Sequence, residues 1–207
     1  MFENFFKNLR KPEGVSGSIM LWIMSVGHSS NAKRGLNYLS IKPDDCILDL
    51  GCGSGTNIKR LLQTTNGNVY GIDYSALCVE KSKKNNEKAI AEKRCEIKES
   101  SVSEIPYDAN MFDIVTAFET VYFWLDSKDS LKEILRVLKS GGTFFICNEL
   151  VREEGKAQPL KSVVNMLNAK IYSVNDYQNI LSNAGFVSIK INLSKNKKML
   201  CLTAQKA

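Results

Sequence analysis

A short apolar run that ends in a glycine-rich turn, Asp45 to Leu50 (DCILDL) followed by Gly51-Cys52-Gly53-Ser54-Gly55, restricts most what this chain can become. Asn57 to Leu62 then sets Ile58, Leu61 and Leu62 at helical spacing, so the segment reads strand, glycine loop, helix. The pattern recurs. Asn68 to Ile72 (NVYGI) reads as a second strand, and Ser75 caps a helix carrying Ala76, Leu77, Val79 and Glu80. Cys95 to Lys98 and Phe112 to Phe118 (FDIVTAF) read as third and fourth strands. Leu131, Ile134, Leu135 and Leu138 mark a helix expected to stop at Ser140-Gly141-Gly142, before a strand from Thr143 to Cys147. Strands connected through helices become parallel neighbours, and the helices must cover the sheet, so the alternation specifies an α/β fold, doubly wound and mostly parallel.

The two ends depart from that rhythm. Asp176 to Ala184 is helical and closes at Gly185; Phe186 to Leu193 and Met199 to Thr203 follow as strands separated only by Ser194 to Lys198, an antiparallel hairpin. That makes seven strands. At the other end, Phe2, Phe5, Phe6 and Leu9 share one helical face, and Ile19, Trp22, Ile23 and Val26 another, with the breakers Pro12, Gly14 and Gly17 between them. Residues 1–38 therefore read as two helices and a hinge, an N-terminal helical cap on a domain spanning 39–207. Residues 149–172, with Pro159 and a helical patch at Val163, Val164 and Leu167, read as an insertion.

Composition narrows the function classes. The 207 residues fit one domain, and 43% hydrophobic with 24% charged residues is ordinary for a packed globular protein. A single histidine, His28, removes multi-histidine metal sites, and the six cysteines form no C-x-x-C pair, so reduced thiols and no metal are expected. The N-terminal order of Phe2, Phe5 and Phe6 before Lys7, Arg10 and Lys11 is not that of a signal peptide, which points to a cytoplasmic protein, as monomer or homodimer. The longest apolar run, Ile19 to Val26, is too short to cross a membrane; a membrane-surface anchor on the first helix is the alternative reading of its apolar and basic residues. The net charge of +6 lies mostly in Lys81 to Lys98 and Lys190 to Lys198, explained by a solvated helix face and a hairpin turn, which argues against a nucleic-acid partner.

The glycine loop stands at the carboxyl end of the first strand, where open α/β sheets bind ligands. A dinucleotide fingerprint would place its third glycine one position later, where this chain has Thr56, and the Gly-Lys-Ser/Thr of a P-loop is missing, which argues against NAD and nucleoside triphosphates. Asp73, about 20 residues after Gly53 at the end of the second strand, is placed to accept hydrogen bonds from both hydroxyls of a ribose. The plainer role, a helix N-cap, is already filled by Ser75.

On the motifs ILDLGCGSG (Ile47 to Gly55), GIDYS (Gly71 to Ser75), IPY then FDIV (Ile105 to Val115) and EILRVLKSGG (Glu133 to Gly142), the chain resembles the class I S-adenosylmethionine-dependent methyltransferases of the small-molecule, type 11 kind. The NAGF element, Asn183 to Phe186, is similar to the family's usual ending. The resemblance implies a Rossmann-like, seven-stranded fold with S-adenosylmethionine as cofactor and S-adenosylhomocysteine as product. It sets Gly51, Cys52 and Gly53 under the methionine moiety, with Asp49 holding its amino group directly or through water. Asp73 would take the ribose hydroxyls, Tyr74 flank the adenine, and Phe118 offer its carbonyl near the amino group. Where the family often has an acidic residue for the adenine amino group, this chain has Ser101, next to Val102.

Methyl transfer from a sulfonium is an in-line displacement that needs no protein nucleophile and needs a base only if the acceptor must lose a proton. His28 and Glu119 are the candidate bases; the alternative is a packed or capping histidine for the first and a water-facing or helix-capping carboxylate for the second. The aromatic run Phe118 to Trp124 either walls an acceptor pocket or packs under the cap, and it lacks the Asn/Asp-Pro-Pro-Tyr motif that would point to amino groups of adenine, cytosine or glutamine. The implied activity is methylation of a small-molecule acceptor; an RNA or protein methyltransferase, or a non-catalytic cofactor-binding scaffold, are the alternatives.

Overall fold

The alternation is realised as one seven-stranded sheet in a computed structural model that describes residues 8, 10–27, 29–159, 161–194 and 199–207. In chain order the elements are α1 (Gly14–Gly27), α2 (Ser29–Gly35), β1 (Ile47–Leu50), α3 (Thr56–Leu61), β2 (Val69–Asp73), α4 (Ala76–Asn85), α5 (Glu87–Ala91), β3 (Cys95–Glu99) and β4 (Phe112–Phe118), then α6 (Lys128–Val137), β5 (Leu138–Asn148), α7 (Lys161–Met166), α8 (Val174–Ala184), β6 (Phe186–Leu193) and β7 (Leu200–Lys206). Short 3-10 turns at Leu36–Tyr38 and Val121–Phe123 complete the set. The strand order is β3-β2-β1-β4-β5-β7-β6, parallel except where β7 enters. The order therefore reverses between β1 and β4, which pair side by side with Asp49 opposite Thr116. This is the Rossmann-like, doubly wound arrangement.

Successive strand residues serve opposite faces, and the core divides accordingly. Leu48, Leu50, Phe144 and Ile146 pack with Leu131 and Ile134 of α6 and with Leu181 of α8. Ile47, Phe145, Cys147 and Cys201 pack with Ile58 and Leu61 of α3 and with Ala32 of α2. Every β1 residue is buried, as a strand covered on both faces requires, so the odd residue is the carboxylate Asp49 at 2% exposure. Helix α8 is fixed at its start by a capping box, in which Ser173 Oγ accepts from the Asp176 N–H and Asp176 Oδ2 from the Ser173 N–H, and at its end by Gly185 at φ +102°.

Two expectations are corrected. The Ser140-Gly141-Gly142 step does not separate a helix from a strand: α6 ends at Val137, β5 starts at Leu138, and the three residues form an irregularity within β5, where the register to β4 jumps from Phe112–Leu138 to Ile114–Thr143. Leu138 is fully buried and extended, so the chain turns into the sheet before the glycines, and Gly141 at φ +76° absorbs the bulge. In the N-terminal segment, Gly14 and Gly17 belong to α1 and do not separate two helices. A Cβ on Gly17 would lie 2.8 Å from the Pro12 carbonyl carbon, so glycine here lets the helix lie against the preceding chain. The buried face of α1 is also not the expected one: Met20 and Leu21 are buried while Ile19 and Ile23 are exposed. A helix without a charged residue gives periodicity little to discriminate. The proposed first cap face, Phe2, Phe5, Phe6 and Leu9, lies outside the described residues. Among those described, no helix is long and apolar enough to cross a membrane.

Candidate functional site

The carboxyl ends of β1, β2 and β4 converge where the strand order reverses, and the glycine loop fills the gap. Cys52 N–H continues the ladder to the Ile72 carbonyl at 3.0 Å, and on either side of it the backbone turns through the left-handed region, at Gly51 and Gly53, φ +65° and +53°. The two glycines serve different ends. A Cβ on Gly51 would lie 2.5 Å from Thr120 Oγ1, so this position is closed by the loop after β4, whereas a Cβ on Gly53 would meet only Leu21 Cδ1, at 3.6 Å. The Gly53 backbone thus faces open space roofed by α1.

That space is a cavity of about 290 Å³. Gly51, Cys52, Gly53, Asp73 and Tyr74 line one part of it, and Ser101, Val102, Phe118 and Glu119 another. Of the residues singled out in the sequence, Asp49 is not on the wall: it lies in the sheet beneath the loop, where Oδ1 accepts from Thr116 Oγ1 at 2.8 Å. His28 lies outside the described residues. Asp73 is tethered on both oxygens, Oδ2 accepting from Gly53 N–H and Oδ1 from Ser75 N–H, each at 2.9 Å. Ser75 caps α4 through the Cys78 N–H and donates its own hydroxyl to the Pro12 carbonyl, which ties the cap segment to the site. The Ser101 hydroxyl is engaged locally, with Ser103.

The aromatic run divides between its two expected roles. Phe123 and Trp124 face the cavity, while Val121 and Tyr122 are buried in the core. Glu119 holds φ +57°, unusual for a residue with a side chain, and is fixed by its N–H on the Cys147 carbonyl, 3.0 Å, and by the Tyr122 hydroxyl, which donates to Oε2 at 2.9 Å while accepting from Leu150 N–H.

The electrostatics are those of carboxylates short of water. Burial pushes Asp49 up to about 7, the Thr116 hydrogen bond opposing it and Asp73 adding to it. Burial, reinforced by Glu149, pushes Glu119 up to about 8. Burial also raises Asp73, against the backbone hydrogen bonds it accepts. Among the described residues none of the three makes an ion pair, so a cationic ligand is favoured by each. Among the same residues no group of three or more histidine, cysteine or acidic side chains is arranged to hold a metal ion.

Several wall residues carry no signal in the motifs. Thr120 closes on Gly51 and accepts from Trp124 Nε1 at 3.1 Å; it stood inside the aromatic run without distinction. Arg10 and Leu21 come from the cap, and Cys147 from β5, by long-range packing alone. Arg10 bridges two segments, donating to the Leu167 carbonyl at 3.3 Å and accepting on its own carbonyl from Tyr74 Oη at 2.5 Å.

A parallel sheet switching between β1 and β4, with a glycine loop and a strand-end aspartate on one cavity, defines the architecture of the class I methyltransferases. Residues 48–146, just under half of the chain, match the family described as a methyltransferase domain, which supports a place among the class I S-adenosylmethionine-dependent methyltransferases. Among curated proteins it is 32% identical over 120 residues to a 2-phytyl-1,4-naphtoquinone methyltransferase of Trichormus variabilis, covering 57% of this chain and 52% of that protein. It is 28% identical over 126 residues to 24-methylenesterol C-methyltransferase 2 of Arabidopsis thaliana, covering 61% of this chain and 35% of that protein. The chain thus spans at most about half of either relative. Among solved structures, geranyl diphosphate C-methyltransferase of Streptomyces coelicolor, crystallised with S-adenosyl-L-homocysteine, superposes with TM-score 0.73 at 15% identity over 87% of this chain and 79% of that one. A methyltransferase of Aquifex aeolicus gives 0.68 at 22% identity over 86% and 90%.

Proposed function

We propose that this protein transfers a methyl group from S-adenosylmethionine to a small-molecule acceptor. The observation that carries the reading is the joint placement of the Gly53 backbone and the Asp73 carboxylate on one cavity wall. The residues fit the cofactor: the open face of Gly53 admits a ligand against backbone, Asp73 takes the ribose hydroxyls, and Tyr74 with Val102 flanks the base. Asp49 acts from beneath the loop, through its field or a bridging water, on the amino group. When bound, the cofactor supplies an electrophilic methyl group on a cationic sulfur. The chain's part is to align an acceptor between Phe123, Trp124 and Leu21, to exclude water, and to hold Glu119 where it accepts a proton from an acceptor that must lose one. Residues 10–38 act as the cap over this cavity, and residues 149–172 shape its acceptor side.

Small-molecule acceptors of the curated relatives, a naphtoquinone and a sterol by their names, support the acceptor class. Labelled S-adenosylmethionine incubated with fractionated cell extract tests it. Label in the metabolite fraction is expected; label in RNA or protein overturns the acceptor class. No label anywhere, with no S-adenosylhomocysteine binding by calorimetry, overturns the activity.

A further inference from the structure

We propose that Cys147 and Cys201 form a reversible oxidation site that is reached through the donor cavity and shielded when the donor is bound, the shielding resting on the function proposed above. The antiparallel pairing of β5 with β7 sets Cys147 directly opposite Cys201. Residues so paired project from the same face with Cα atoms about 4.5–5.5 Å apart, inside the usual disulfide range of about 4.4–6.8 Å. Their sulfurs already stand 3.7 Å apart, so a bond of about 2.05 Å needs each to move by roughly 0.8 Å, within reach of side-chain rotation. The other thiol beside the glycine loop, Cys52, has its sulfur 3.7 Å from the Ser82 hydroxyl.

Cys52 and Cys78 line the same cavity, so it is the facing partner thiol that distinguishes this pair. Both of its residues are 1% exposed, yet Cys147 lines the cavity, next to Phe118 in the sheet register. Its outer side is closed by α2: a Cβ on Gly35 would lie 2.5 Å from Cys147 Sγ, and the sulfur is 4.0 Å from the Asn31 carbonyl. A small oxidant therefore arrives from the cavity, through space that a bound donor fills. Hydrogen peroxide is such an oxidant. One thiol of the pair, as thiolate, attacks a peroxide oxygen; the S–O bond forms, the O–O bond breaks, and the departing hydroxide takes up the proton to leave as water. The second thiol then attacks the oxidised sulfur, the S–S bond forms, the S–O bond breaks, and a second water leaves. Two thiols are oxidised to one disulfide and one peroxide is reduced to two waters.

The test treats the reduced 207-residue chain with hydrogen peroxide at neutral pH. Intact mass is expected to fall by two hydrogens, non-reducing peptide maps to join the Cys147 and Cys201 peptides, and dithiothreitol to reverse both. Cys201→Ser should instead gain one oxygen, trapped by dimedone; Cys201→Ala serves if the serine variant does not fold. S-adenosylhomocysteine at about ten times its calorimetric Kd leaves roughly a tenth of cavities empty and should slow disulfide formation roughly tenfold. Absence of the joined peptide overturns the site, and an unchanged rate with ligand bound overturns the route. Absence of calorimetric binding counts against the proposed methyltransferase function instead, and the joined peptide then decides the site by itself.

Discussion

Replacing Asp73 with Asn changes one atom and one charge where the glycine loop meets β2. A carboxylate offers about four lone-pair positions. The Gly53 and Ser75 N–H groups take one on each oxygen, at 2.9 Å, and the Cys78 thiol and Tyr74 N–H also reach the carboxylate, so the two hydroxyls of a ribose would take the remaining positions by displacing these, the weak thiol donor first. An amide turns one of these oxygens into a donor. Whichever way it is oriented, one backbone N–H then faces another N–H, and one ligand hydroxyl loses its acceptor. A hydrogen bond to a charged group contributes about 1.5–3 kcal/mol, so affinity for S-adenosylhomocysteine should fall by about 2 kcal/mol, roughly thirtyfold. Stability should fall less, by about 1 kcal/mol: Asp73 is only 7% exposed and burial raises its pKa, so removing the charge offsets part of the lost bonding. Calorimetry and urea unfolding on the same preparations separate the two effects. An Asn variant that binds within about threefold of the parent refutes the nucleoside role, and one that loses stability without affinity reduces Asp73 to a loop tether.

The raised carboxylates predict the pH dependence of the ligand-free protein. Asp49 at about 7 and Glu119 at about 8 lie above the ordinary carboxylate range of about 4, so between those limits the folded state binds more protons than the unfolded one. The stability they contribute is full below about pH 4 and is lost as pH rises to about 8; urea midpoints should be higher at pH 5 than at pH 8, and Asp49→Asn should flatten that slope. A cationic ligand favours ionised Asp49, so binding near pH 7 should release protons, visible as a buffer-dependent calorimetric enthalpy. Gly51→Ala places a methyl against Thr120 as well as straining φ, and should lower Tm more than Gly53→Ala; the latter should keep most of its stability, with a cost of about 1–2 kcal/mol, and lose ligand affinity because its methyl enters the cavity. Ser173→Ala removes the N-cap of α8 away from the site, and should cost about 1 kcal/mol, or about 2–4 °C in Tm, with ligand affinity unchanged.

The glycine loop and the aspartate beside it were legible in the sequence because their constraints are local. The turn after β1 needs left-handed backbone at Gly51 and Gly53, and a strand-end carboxylate must sit a fixed distance along the chain; both leave a mark in residue type and spacing. Strands β1 to β4 were found within one or two residues for the same reason, since buried parallel strands read as apolar runs. The cap was not legible in detail. With Ile19 and Ile23 as apolar as the buried Met20 and Leu21, no pattern says which side of α1 faces the protein, and the answer is set by what lies across the cavity from it. Likewise a Ser-Gly-Gly step fits a helix stop and a strand bulge equally, and only the buried position of Leu138 decides. Thr120 and Cys147 reached the site through sheet register, which no local pattern carries.

Glu119 combines both kinds of constraint, and its backbone argues for function over packing. A residue with a Cβ in the left-handed region costs about 1 kcal/mol, which glycine at the same place would avoid. The surrounding chain holds the strained residue with its own N–H on the Cys147 carbonyl, the Tyr122 hydroxyl on Oε2 and the Glu149 N–H on its carboxylate. Packing alone gives no reason to keep that strain, since burying the carboxyl group it serves costs further free energy, as desolvation if ionised and as a raised pKa if neutral. The same burial that makes the carboxylate costly brings its pKa close to neutrality, where a group can take up a proton in one step and release it in the next. The strain and the raised proton affinity fall on one side chain, on the wall of the cavity that Asp73 and the glycine loop open toward, which supports the proton-accepting role proposed for Glu119.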